Sequence, residues 1–81
     1  MLSKDEQILY NLIGKRLKEL RQKAGYTSQE TFAYDAELPR ALYGRYEKGC
    51  NLTVSSLYKI LQFHNITFEE FFKNGFKDLK K

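Results

Sequence analysis

Thr27–Gly49, TSQETFAYDAELPRALYGRYEKG, decides how this chain is read. Thr27 and Glu30 stand three apart, the spacing of a capping box that satisfies free amides at a helix start. Phe32, Ala33 and Ala36 follow on the helical period and form the inner face of a short helix. After Leu38, Pro39 suits the first turn of a second helix, because its ring presets the backbone and its missing N–H is not needed there. That helix turns Tyr43 and Tyr46 inward, with Leu42 beside them, and Gly49 ends it.

The same logic extends outward in both directions. From Ile8 to Ala24, Leu9, Ile13, Leu17, Leu20 and Ala24 recur every three or four residues, and Gly25 stops the run, so one helical face is apolar. Downstream, Thr53 is placed to cap a helix whose buried stripe is Val54, Leu57, Ile60, Leu61 and His64, interrupted near Asn65. Thr67 and Glu70 repeat the capping-box spacing ahead of Phe68, Phe71 and Phe72, and Asn74-Gly75 is the stop. Sustained apolar–polar alternation is missing, so no sheet is expected. The expectation is a compact, all-α, five-helix domain spanning 1–81, with a core of about 8–73 and a basic tail, 74–81, whose last residues fray.

Lys and Arg outnumber Asp and Glu by 14 to 10, which suits a polyanionic partner without naming one. Position says more than the total. Lys15, Arg16, Lys18, Arg21 and Lys23 crowd one segment and Arg40, Arg45 and Lys48 another, with Glu30, Asp35 and Glu37 between. The lone Cys50 cannot close an internal disulfide, and the opening residues lack a basic-then-apolar leader, so a reducing cytoplasm is the expected compartment. No apolar run approaches the roughly 20 residues that cross a bilayer, and no membrane partner is expected.

Two short helices joined by three or four residues, with small residues at their crossing, can lay the second helix in the major groove of DNA. Gln29 to Lys48 have that layout. From about Ile13 to Phe72 the chain resembles the Cro and phage-repressor type of helix-turn-helix, the XRE family. The likeness runs through Ser28-Gln29-Glu30, Ala33 at the helix crossing, and Leu38, Tyr43 and Tyr46 at core positions. It continues in the Tyr43-Gly44-Arg45-Tyr46-Glu47-Lys48-Gly49 ending, the Asn51-Leu52-Thr53-Val54 link and Leu57-Tyr58-Lys59-Ile60. Two positions depart from the pattern. Glu37 replaces the usual turn glycine, which requires either a left-handed backbone or a differently shaped turn, and Pro39 replaces a Ser or Thr cap.

The resemblance implies a lambda-repressor-like fold and a sequence-specific transcriptional regulator of the repressing kind. Its partners would be double-stranded DNA and a second copy of the chain on a near-palindromic operator. Carried over by position, Arg40, Ala41, Gly44 and Arg45 face the bases, while Gln29, Ser28, Lys48 and Tyr43 meet phosphate. An arginine fork donates two hydrogen bonds to guanine O6 and N7, worth about 1–3 kcal/mol of discrimination, and Ala41 suits a thymine methyl. Gly44 serves either close approach to the sugar-phosphate chain or helix packing. Arg21 and Glu47 correspond to an interior ion pair joining the first and third helices.

The remaining candidates read as structure. His64 has no second ligand at metal-binding spacing, and Cys50 has no companion base, so neither metal nor cofactor is expected. The chain offers no phosphate loop and no triad, hence no enzyme. The rival class is a protein-interaction module or antitoxin-like partner using the Phe-rich C-terminal helix, Phe68, Phe71 and Phe72.

Overall fold

The computed structural model describes residues 2–77. They form five helices and, among the described residues, no strand: α1 Lys4–Lys23, α2 Gln29–Asp35, α3 Arg40–Glu47, α4 Val54–His64 and α5 Phe68–Lys73. The lysine-rich end expected to fray falls, from Asp78 onward, outside the described residues.

α1 begins four residues before the Ile8 start that periodicity predicts. Ser3 is its cap: Ser3 Oγ accepts from Glu6 N at 3.1 Å and Ser3 N donates back to Glu6 Oε1 at 2.9 Å. The spacing was there in Ser3 and Glu6, but this first turn buries nothing, and an apolar period cannot register a solvated turn. α2 is capped by Ser28 instead of Thr27, with Ser28 Oγ accepting from Glu30 N at 3.1 Å and Thr31 N at 3.3 Å. Thr27 and Glu30 therefore do not make a box, and the Glu30 side chain is left to point elsewhere. Thr53 caps α4 through Ser56 N, and Thr67 and Glu70 close both halves of a box on α5.

Tyr43, Phe32, Phe71, Leu17, Ile60 and Leu61 are fully buried and form the centre of one cluster, to which every helix contributes. Ala24, Leu42 and Val54, all assigned to inward faces, are exposed and lie outside it. Val54 is 74% exposed and Leu42 37%. Val54 is the first residue of α4, where the tilt of Cα–Cβ bonds toward the N-terminus carries the side chain past the end of the core. Phe76, beyond α5, packs on Phe71 and Phe72 at ring separations of 5.8 and 4.8 Å.

Where α1 crosses α3, the backbones meet at Gly14. A Cβ there would stand 2.5 Å from Glu47 O and 2.7 Å from Tyr46 O, closer than real carbon–oxygen contacts allow. Only glycine lets α3 sit this deep against α1.

Candidate nucleic-acid interface

Residues 36–39 join α2 to α3. Leu38 N donates to Ala33 O at 2.8 Å and Glu37 N to Tyr34 O at 3.1 Å, the paired bonds of a Schellman ending, with Glu37 left-handed at φ 59°. α1 and α3 close in the same way on Gly25 and Gly49, and α4 on Asn65. Of the two turn shapes open to Glu37, the left-handed one forms. Its carbonyl accepts from Lys59 Nζ at 3.2 Å, a tie from α4 to the strained turn. Ala33 and Ala36 are buried at the α2–α3 crossing, and Phe32 packs on Tyr43 with ring centres 4.8 Å apart.

That packing divides α3 into two faces. Tyr43 and Tyr46 are buried, whereas Arg40, Ala41, Arg45 and Lys48 are exposed. Arg45 makes no side-chain hydrogen bond or ion pair among the described residues, while Arg40 donates through Nη1 to Glu30 Oε2. Gly44 is half-buried. A Cβ on it would meet only Gln29 Oε1, at 3.2 Å, so no helix backbone packs there, and its outer side is open.

Tyr43 is a correction. Sequence reasoning set it against phosphate, yet the residue is 0% exposed and no hydrogen bond to its hydroxyl closes among the described residues. Burial first, then the neighbouring Glu47 carboxylate, drives its phenol far upward, so it stays neutral beneath the helix. A residue that belongs to the inner stripe of α3 cannot also reach the outer face.

Beneath the interface lies a buried polar knot. Arg21 Nε stands 2.7 Å from Glu47 Oε2 and Nη2 3.3 Å from Oε1, while Nη1 donates to Tyr26 O at 2.9 Å. Gln29 Nε2 donates to Glu47 Oε1 at 2.8 Å, so one side chain ties together α1, α2 and the end of α3. The ion-pair side chains are only 5% and 2% exposed. The bond to Glu47 lifts the Arg21 guanidinium above its ordinary pKa, against the effect of burial. Burial pushes the Glu47 carboxyl up, but donors from Arg21 and Gln29, with the Tyr43 hydroxyl nearby, outweigh it and leave the group below the usual carboxylate range. Both groups are charged, and the knot holds α3 at a set angle.

A helix-turn-helix family model matches residues 17–71, more than half of the chain. The chain belongs to the Cro/C1-type helix-turn-helix family, the XRE family. It is a regulatory family whose members bind DNA, and at that level the protein is a DNA-binding transcription regulator with the family's all-helical domain. No curated protein and no solved structure matches it.

Other features of this XRE domain are support. Arg16, counted by sequence among the basic face of α1, has a side chain only 18% exposed. Its Nε donates to Phe71 O at 3.3 Å and its guanidinium lies 5.9 Å from the Phe71 ring, tying α1 to α5. Lys15, Lys18 and Lys23 remain exposed. His64 stacks on Phe32 with ring centres 5.1 Å apart, and burial holds its pKa below the ordinary value. Among the described residues no cluster of His, Cys, Asp or Glu gathers as metal ligands, and no helix is long and apolar enough to cross a membrane.

Sequence reasoning missed three supports. Gly14 was signalled only as a glycine within a helical run, which often marks close approach. Gln7 Nε2 donates to Gly49 O at 3.1 Å and to Asn11 Oδ1 at 2.9 Å, fastening the end of α3 to the added first turns of α1. The pairing of Arg40 with Glu30 became available once Ser28 had taken over the cap.

Proposed function

We propose that the protein is a sequence-specific repressor that lays α3 in the major groove of double-stranded DNA. One observation carries this reading: Arg40, Ala41, Arg45 and Lys48 share the exposed face of an α3 whose other face is locked into the core by Tyr43 and Tyr46. Arg40 and Arg45 are the guanine readers, each with a planar fork that matches O6 and N7. Ala41 meets a thymine methyl, and Gly44, open on its outer side, lets the backbone approach the sugar-phosphate chain. Lys48 contacts phosphate. So do Ser28, whose hydroxyl accepts two amides but keeps its own proton to donate, and Gln29, whose amide has a second N–H beyond the one held by Glu47.

One such helix covers too few base pairs for tight control, so two copies bind a near-palindromic operator with their α3 helices about 34–36 Å apart and occlude polymerase. The apolar hollow between α1, α4 and Phe72, lined by Leu9, Tyr10, Leu52, Val54 and Leu57, supports pairing of copies. An exposed, unpaired Cys50 fits a reducing cytoplasm. The rival reading, a protein-interaction module using the Phe-rich end, loses ground because Phe71 is fully buried and Phe68 and Phe76 pack on the core, which leaves Phe72 as the one exposed ring of that end among the described residues.

Selection of bound duplexes from a random pool, repeated with Arg40→Ala and Arg45→Ala, tests the assignment. Each variant is expected to lose preference at its own base pair while affinity for all duplexes falls steeply with salt. Variants that enrich the parent's consensus refute the base readers, and affinity insensitive to salt refutes DNA as the ligand.

A further inference from the structure

Arg40 opens α3 at the place where a helix least favours a cation, since the free amides there carry partial positive charge. Nothing local offsets this. The first turn of α3 holds no acidic residue, and Pro39, its N-cap, offers no side-chain hydrogen bond. The compensating charge comes from α2. Because Ser28 caps that helix, Glu30 does not turn back to the cap, and its Oε2 instead accepts from Arg40 Nη1. The two side chains are 67% and 62% exposed, and an ion pair this wet contributes little to stability. What it does supply is orientation. Among the described residues, Arg40 Nε and Nη2 make no hydrogen bond, and these two donors lie side by side on the guanidinium edge that fits guanine O6 and N7.

We propose that Glu30 is a specificity-determining residue of the DNA site: it grips Arg40 at Nη1, presents the Nε–Nη2 edge to a guanine, and repels duplexes in which that guanine is missing. The proposal rests on the reading of α3 as the groove helix. An unheld arginine samples many rotamers and reaches phosphates, contacts that carry no sequence information. A held one has less freedom left to lose on binding. The carboxylate adds a second filter. Beside a polyanion it is unfavourable, and a well-made arginine–guanine contact offsets that repulsion whereas a mismatched base pair does not. Glu30 is thus a positioning residue that acts through Arg40.

The test measures binding of the whole chain, at one fixed salt concentration, to its selected duplex, to that duplex with the Arg40-dependent base pair changed, and to random duplex. Parent, Glu30→Ala, Glu30→Gln, Arg40→Ala and the Glu30→Ala/Arg40→Ala double variant are compared, with thermal melts reporting the fold of each. Glu30→Ala is expected to bind random duplex several-fold more tightly and to lose about three- to fivefold of its discrimination at that one base pair, as much as an exposed pair can supply. Glu30→Gln, which keeps an acceptor oxygen without the charge, falls between. In the Arg40→Ala background, removing Glu30 is expected to change discrimination by less than about twofold. A folded Glu30→Ala that keeps the parent's preference at this base pair overturns the proposal. If Arg40→Ala leaves the consensus intact, the proposal falls with its reader while DNA binding stands. A parent that enriches no consensus sinks the functional reading itself.

Discussion

Replacing Glu47 by alanine is expected to remove most of the fold's stability, well before any question of DNA affinity arises. The carboxylate is 2% exposed and accepts from Arg21 at 2.7 and 3.3 Å and from Gln29 at 2.8 Å. Its loss leaves a guanidinium only 5% exposed without a counter-charge, a defect that costs about 3–5 kcal/mol. A chain of 81 residues has in total about 4–12 kcal/mol. In urea unfolding followed by circular dichroism, a small protein loses about 1 kcal/mol per molar denaturant, so the midpoint should drop by about 3–5 M. Arg21→Met combined with Glu47→Leu should recover much of this, because the charge and its partner leave together and apolar volume replaces them. The parent carries a pH signature as well. Glu47 titrates below its ordinary value of 4.5 in the fold, so its contribution is present above that pH and is lost as pH falls through the lowered folded value. Should Glu47→Ala unfold within about 1 kcal/mol of the parent, the knot is not what holds α3 against α1, and the argument from burial fails.

Three further outcomes follow from local geometry. Gly14→Ala places a methyl 2.5 Å from Glu47 O, and despite alanine's better helix propensity it should destabilise by about 1–3 kcal/mol in the same assay; an unchanged midpoint would show that the α1–α3 contact yields easily. Glu37→Gly relieves a left-handed residue at φ 59° and should stabilise by about 0.5–1 kcal/mol, once glycine's larger backbone entropy is deducted, which a melting curve detects as a rise of a few degrees. His64 is held neutral by burial, so the unfolded chain binds its proton more readily. Stability should therefore be complete above the ordinary histidine value of 6.5 and decline as pH falls from there toward the lower folded pKa, a slope that His64→Gln removes. A stability profile flat between about pH 7.5 and pH 5.5 would contradict that assignment.

The sequence alone determined the number and kind of the helices, because apolar residues at helical spacing need a common interior and the turn residues between them end each run. Leu17, Tyr43, Tyr46 and Ile60 were assigned inward on that basis, and all are buried. The family, too, could be read from residues scattered over most of the chain. Tertiary structure decided what periodicity cannot express. Which of Thr27 and Ser28 caps α2 depends on where the chain leaves α1, and that choice frees Glu30 to reach Arg40, ten residues away in sequence. Likewise periodicity turned Tyr43 inward, but it is the packing of Phe32 on that ring that withdraws its hydroxyl from any phosphate. A hydrophobic pattern specifies which side of a helix is dry; which polar groups meet across two helices is set by their relative placement, and at Gly14 that placement is fixed by close approach of backbone to backbone.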